Sequence, residues 1–265
     1  MENNNNEIIK IKDLSFCYKH SKEVLCKLSF NVNKAEIISI IGPNGSGKTT
    51  LFKILNKFLI NYKGSIEVNG ENLKKISIES YSKKIAYVSQ SRPNIFPISI
   101  KEFVLLGRYP FLKSYMLPDN KDYNKVERIL ELFELKDLSH KPLTELSGGE
   151  LQRVCIAQAL VKDPEILFLD EPANNLDLKH QVDMIRILKD LALNKKCTVI
   201  TIMHDINLAS LLSTRIILLK NGSINNIGSP RNIINKNSIK DIFNVNAEVV
   251  NDNIAGNGVL VKYVV

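Results

Sequence analysis

Apolar and polar positions change their period several times along this chain, and those changes mark its elements. Ile8–Phe16 and Leu28–Val32 carry the alternation of half-buried strands, and residues 62–90 continue in kind around Asn69-Gly70, a tight-hairpin dipeptide. We read these segments as an antiparallel sheet packed against a core. From about Ile100 to Leu138 the strand signals vanish, and Val126, Ile129, Leu130, Leu132 and Phe133 recur at helical spacing, which predicts a helical subdomain. Strand and helix then alternate again through the strand Glu165–Leu169, the helix Leu178–Leu193, the strand Cys197–Met203 and a hairpin at Asn221-Gly222. The tail after Gly228 reads as two short helices and a final strand. Together these segments predict an α/β fold with a largely parallel sheet.

Composition narrows the class. The 265 residues are 44% hydrophobic and 24% charged, the profile of a soluble globular protein of one or two domains. Apolar runs such as Ile37–Ile41 and Val199–Met203 fall far short of the about 20 residues a membrane span needs. The start, MENNNNEIIK, lacks the basic and apolar stretches of a secretory signal, so the expected compartment is the cytosol. Cys17, Cys26, Cys155 and Cys197 show no CxxC spacing and sit among apolar neighbours, which predicts reduced, half-buried thiols and no metal or redox centre. The net charge of +8 suits nucleic acid or an anionic membrane surface. Lys and Asn are scattered rather than clustered, however, so we read the charge as compositional bias and expect no nucleic-acid partner.

Two segments carry chemistry on their own. Gly42-Pro43-Asn44-Gly45-Ser46-Gly47-Lys48-Thr49, followed by Thr50, fits the G-x-x-x-x-G-K-[ST] phosphate loop, in which backbone N–H groups wrap phosphate oxygens. The apolar strand Glu36–Ile41 precedes it and a helical pattern, Lys48–Phe58, follows, so phosphates would also meet a positive helix N-terminus. Lys48 offers a point charge to the terminal phosphates, and the Thr49 hydroxyl a ligand to Mg²⁺. In the second segment, Glu165–Pro172 (EILFLDEP), an apolar strand ends in two adjacent carboxylates. Neighbouring strand residues face opposite ways. Asp170 is therefore expected to reach the Mg²⁺ shell and Glu171 to polarise a water for in-line attack on the γ-phosphorus.

A third segment, Leu146-Ser147-Gly148-Gly149-Glu150 followed by LQRVCIAQAL, resembles the signature of the ATP-binding cassette (ABC) ATPases. That resemblance covers residues 7–245 and implies a P-loop, RecA-like core with an antiparallel β subdomain and a helical subdomain. We divide the chain accordingly: 7–90 as β subdomain plus P-loop core, 91–150 as helical subdomain, 151–228 as core and 229–265 as tail. In the family the signature completes the ATP site of a facing subunit. The resemblance thus implies a homodimer sandwiching two ATP molecules, with Ser147, Gly148 and Gly149 contacting nucleotide across the interface. It also implies that Tyr18 stacks on adenine, Gln90 touches Mg²⁺ and the attacking water, and His204 contacts the γ-phosphate. Asn174-Asn175-Leu176-Asp177 resembles the loop that crosses the dimer interface, Asp177 being its acidic residue. His20, His140 and His180 are read as surface residues. Two departures stand out: Glu150 where many members carry Gln, and ANNLD in place of a Ser- or Thr-containing loop.

Exporter subunits of the family are commonly fused to their membrane domain, DNA-repair members insert coiled coils, and translation factors join two cassettes. None of these features is present, so the expected role is an importer ATPase on the cytoplasmic face of the cell membrane, served by a separate permease and indirectly by a substrate-binding protein. Phe103–Pro110 (FVLLGRYP), His204–Ser210 (HDINLAS) and the short tail resemble the group importing iron-siderophore, haem and cobalamin. The alternatives are a zinc, manganese or molybdate importer and a nucleic-acid-associated ABC ATPase.

Overall fold

The computed structural model describes residues 6–19, 22–90, 97–112, 117–174, 176–194, 196–251 and 258–264. The first elements are β1 (Glu7–Cys17), β2 (Glu23–Asn33), β3 (Ile37–Ile41), α1 (Lys48–Leu55), β4 (Lys63–Val68) and β5 (Glu71–Asn72). Next come α2 (Ile78–Lys84), β6 (Ile85–Val88), α3 (Ile100–Leu106), α4 (Asn120–Leu132), α5 (Gly148–Leu160), β7 (Ile166–Asp170) and α6 (Leu178–Leu193). The last are β8 (Thr198–Ile202), α7 (Ile206–Leu212), β9 (Arg215–Lys220), β10 (Ser223–Gly228), α8 (Pro230–Ile233), α9 (Lys236–Phe243), β11 (Ala247–Asn251) and β12 (Val259–Tyr263). Ser77–Met184 form one compact unit, and the chain on either side of it forms the other.

In the unit formed by the two chain ends, β1, β2, β4 and β5 make the expected antiparallel sheet, in the order β2-β1-β4-β5. The second sheet of this unit runs β10-β9-β3-β8, with β3 parallel to both β8 and β9. Every residue of β3 and β8 is buried, as parallel strands covered on both faces require. Asn69-Gly70 and Asn221-Gly222 make their hairpins with φ of 51° and 78°, and of 48° and 75°, the double left-handed pair that a twisted two-residue turn demands.

The Ser77–Met184 unit pairs β6 in parallel with β7 and packs α3, α4 and α5 together. Helix α4 buries Val126, Ile129 and Leu130, three of the five positions whose spacing predicts it.

Five expectations need correction. The antiparallel sheet does not run on to residue 90: after Asn72 the chain forms the helix α2, capped by Ser77, and then β6, which pairs in parallel with β7. Helix α1 stops at Leu55, not Phe58: Lys57 takes φ 61°, the left-handed turn that ends a helix, and Phe58 is exposed. Strand β2 starts at Glu23 rather than Leu28, because its first half finds a partner in β1. The tail ends in two paired strands, β11 and β12, rather than one; AEVVN is too short to read as a strand without its partner. Finally, Cys17 is exposed and Cys197 fully buried, so only Cys26 and Cys155 are half-buried thiols.

Candidate functional site

The phosphate loop leaves the buried end of β3 and enters α1 at Lys48, with Gly47 as N-cap at φ 103°. Two of its glycines are required by packing. A Cβ on Gly42 would lie 2.0 Å from the Leu219 carbonyl oxygen, and one on Gly47 2.5 Å from Leu25 Cδ2. Gly45, at φ 78°, has nothing within 4 Å of its Cβ direction, so the open side of the loop lies there. The buried Ser46 Oγ has no hydrogen-bond partner among the described residues, as a donor awaiting an anion would. Lys48 is 6% exposed, and its ammonium donates to the carbonyls of Gly42 at 2.8 Å and Pro43 at 3.0 Å. Pro43 is half-buried, Thr50 is buried, and Asn44 and Thr49 are exposed.

Two further candidates lie in the same unit. Tyr18 has its hydroxyl 3.3 Å from Thr50 Oγ1 and its ring edge-on to Phe16 at 5.0 Å. His204, exposed, follows β8 by two residues. Because β3 and β8 are parallel with Ile40 opposite Ile202, Gly42 and His204 leave the sheet at the same level, at the carboxyl ends of the strands.

The other unit carries the carboxylates. Asp170 ends β7 and is 2% exposed; the Tyr87 phenol is pushed up to about 12, first by its own burial and then by the Asp170 charge. Glu171 does not continue the strand. It takes φ 54°, a left-handed conformation uncommon outside glycine, so a backbone turn as well as strand alternation separates the two carboxyl groups. Val88 pairs with Leu169, and carrying that register two residues on brings Gln90 level with Glu171. Gln90 Nε2 indeed donates to Glu171 Oε2 at 2.7 Å.

Ser147 caps α5, whose first residues are Gly148 and Gly149. Its Oγ accepts from the Glu150 N–H at 3.3 Å, and the Glu150 carboxylate accepts from the Ser147 N–H at 2.8 Å. This reciprocal box needs a carboxylate or amide at position 150, which explains why Glu fits there. It also holds the Glu150 carboxyl below its usual range, through the Ser147 side chain first and the Ser147 backbone second. Asp177 accepts from the His180 N–H and from His180 Nδ1, both at 2.9 Å, and the His180 N–H first of all lowers its carboxyl. His180 is thus a partner of the candidate interface loop. His140 is exposed, and His20 and Asn175 lie outside the described residues.

Sequence reasoning gave no role at Glu171 or its turn to three amides that the fold brings there. Asn174 Nδ2 donates to Glu171 Oε2, Gln152 Nε2 to the Pro172 carbonyl at 3.3 Å, and Gln181 Nε2 to the Leu176 carbonyl at 3.2 Å. The clustering of amide side chains in and beside ANNLD was the one available signal.

The ABC transporter family model matches residues 25–174. An uncharacterized ABC transporter ATP-binding protein of Methanocaldococcus jannaschii is 38% identical over 92% of this chain and 94% of its own length. The petrobactin import ATP-binding protein of Bacillus subtilis is 33% identical, covering 90% of this chain and 93% of that protein. The iron(3+)-hydroxamate import ATP-binding protein of the same species is 31% identical, over 85% and 84%. Among solved structures, one of an inward-facing transporter of the metal-chelate type superposes with a TM-score of 0.82 at 26% identity, covering 98% of this chain and 97% of that chain. A dimeric ATP-binding cassette bound to ADP and Pi gives 0.74 at 29% identity, over 84% and 99%. The phosphate loop behind β3 and the paired carboxylates behind β7 therefore belong to a member of the ABC transporter family, an ATPase cassette with a P-loop α/β core, an antiparallel β subdomain and a helical subdomain.

Proposed function

We propose that this chain is the ATP-hydrolysing subunit of an importer for iron complexes or cobalamin, peripheral on the cytoplasmic face of the cell membrane and working with a separate permease. The observation that carries the chemistry is the turned-out Glu171, whose Oε2 is held by Gln90 at 2.7 Å. A carboxylate so restrained is suited to take the proton of an attacking water. Lys48 and the loop N–H groups bind the phosphates, Tyr18 the adenine, and His204 the γ-phosphate. Ser147, Gly148, Gly149 and Asp177 serve the nucleotide of a second copy. The oxygen donors of Thr49, Asp170 and Gln90 are of the kind a magnesium ion takes, and these are the residues that would hold it; when bound, it would supply charge neutralisation on the phosphate oxygens.

The iron assignment rests on the relatives named for petrobactin and iron(3+)-hydroxamate import, which align along most of both chains. The permease contact is proposed near Leu106–Pro110, where Leu106 is 40% and Tyr109 60% exposed although both are apolar in body. Among the described residues no helix is long and apolar enough to cross a membrane, which agrees with a pore supplied by another chain.

Replacing the native gene by its Glu171→Gln version tests both levels. Hydrolysis should fall by at least about 10²–10⁴-fold with ATP still bound. Growth on chelated iron or cobalamin should fail, with zinc and molybdate uptake unchanged. Parental hydrolysis would remove Glu171 from its role. Normal use of iron complexes alongside a zinc, manganese or molybdate defect would overturn the cargo assignment alone.

A further inference from the structure

Among the described residues Gln90 is not alone in holding the Glu171 carboxylate. After Glu171 the chain closes a turn in which the Asn174 N–H donates to the Glu171 carbonyl at 3.2 Å. That turn swings the Asn174 side chain back over the carboxylate, where its Nδ2 donates to Oε2, the same oxygen that Gln90 holds. The turn is itself pinned from two helices. Gln152 of α5 donates to the Pro172 carbonyl at 3.3 Å, and Gln181 of α6 to the carbonyls of Ala173 at 3.4 Å and Leu176 at 3.2 Å.

We infer that Asn174 is a positioning residue for the reaction: it and Gln90 together fix Glu171 Oε2, and with it the plane of the carboxyl group that receives the proton of the attacking water. This rests on the reading of Glu171 as the base. The physical grounds are local. A carboxylate at the end of a left-handed turn has free χ angles unless its oxygens are held, and two amide donors converging on one oxygen orient the carboxyl plane without taking its proton-accepting capacity. An alcohol at position 174 would reach less far than an amide, so the departure from a Ser- or Thr-containing loop has a function in this geometry. Asn174 itself is exposed, and its substitution removes no core packing.

The test compares Asn174→Leu, nearly isosteric and without a donor, with Asn174→Asp, isosteric and carrying a like charge. It uses the full chain with its permease and measures kcat, ATP affinity of the isolated chain and thermal unfolding. The Leu variant should lose about 10- to 100-fold in kcat, the scale of a misplaced reacting group, and the Asp variant more, because a second carboxylate repels Glu171. Affinity and unfolding temperature should match the parent for both. Unchanged kcat in Asn174→Leu, or an Asp variant better than the Leu variant, overturns the inference. So does a loss of kcat matched by equal losses in affinity or stability, since that is the signature of a merely structural residue. Glu171→Gln separates the two levels: if it is inactive while Asn174→Leu is fully active, positioning alone fails, and if it hydrolyses at the parental rate, the base assignment fails and positioning with it.

Discussion

Breaking the ion pair between Arg108 and Asp122 in the helical unit should cost far more than a surface pair would. Arg108 Nε donates to Asp122 Oδ1 at 2.7 Å, and each side chain is 10% exposed. Arg108 also reaches the Val161 carbonyl at 3.4 Å and lies 4.3 Å over the Phe111 ring, while Asp122 Oδ2 accepts the Asp119 N–H at 3.3 Å as part of the capping box of α4. Asp122→Ala leaves a buried guanidinium without its counter-charge, at about 3–5 kcal/mol. Since about 1 kcal/mol moves the midpoint of a chain this size by about 2–4 °C, unfolding followed by circular dichroism should shift down by roughly 6–20 °C. Replacing both partners, as Arg108→Met with Asp122→Leu, should recover most of that loss, because no buried charge remains. The pair also has a pH signature. Burial pushes the Asp122 carboxyl up, but the Arg108 hydrogen bond, the Asp119 N–H and the Arg108 charge outweigh it and hold the group below the usual aspartate range. A depressed carboxyl stabilises fully above its unfolded value, about 3.9, and loses that contribution as pH falls through the lower folded value. The gap between parent and Asp122→Ala should therefore be constant at neutral pH and shrink below about pH 4. A single variant within about 1 kcal/mol of the parent, or a double variant worse than the single, would refute the argument.

Two other perturbations separate jobs that the motifs leave merged. Lys48→Ala should abolish nucleotide binding by the isolated chain, whereas Ser147→Ala should bind ATP normally in titration, lose about 1 kcal/mol as a helix cap, and fail to turn over with the permease; equal affinity of both variants and the parent would mean the two phosphate contacts are wrongly assigned. Gly42→Ala should lower the unfolding midpoint as well as ATP affinity, since its Cβ would lie 2.0 Å from the Leu219 carbonyl oxygen, while Gly45→Ala meets no atom within 4 Å and should impair ATP binding with only the small cost of its φ of 78°. Equal loss of stability in the two would contradict the division of the loop into packed and open glycines.

Local pattern carried much of this protein. The spacing from Gly42 to Thr49 behind an apolar strand, the DE pair ending a second one, the helical spacing around Ile129 and Leu130, and both Asn-Gly turns are short-range features, and short-range sterics and periodicity decide them. What lay beyond the sequence were contacts between distant residues and conformations imposed by a neighbour. Gln90 and Glu171 stand 81 positions apart and meet because β6 and β7 pair with Val88 opposite Leu169, a register that no single strand contains. Likewise β11 becomes a strand only beside β12, and α1 ends at Leu55 where a left-handed residue closes it, although apolar residues continue. The packing demand on Gly42 comes from Leu219, far along the chain, and the burial of Arg108 from Asp122 and Val161. Periodicity states which face of an element is hidden; which residue waits on the other side depends on register and close packing, and these exist only once the whole chain has folded.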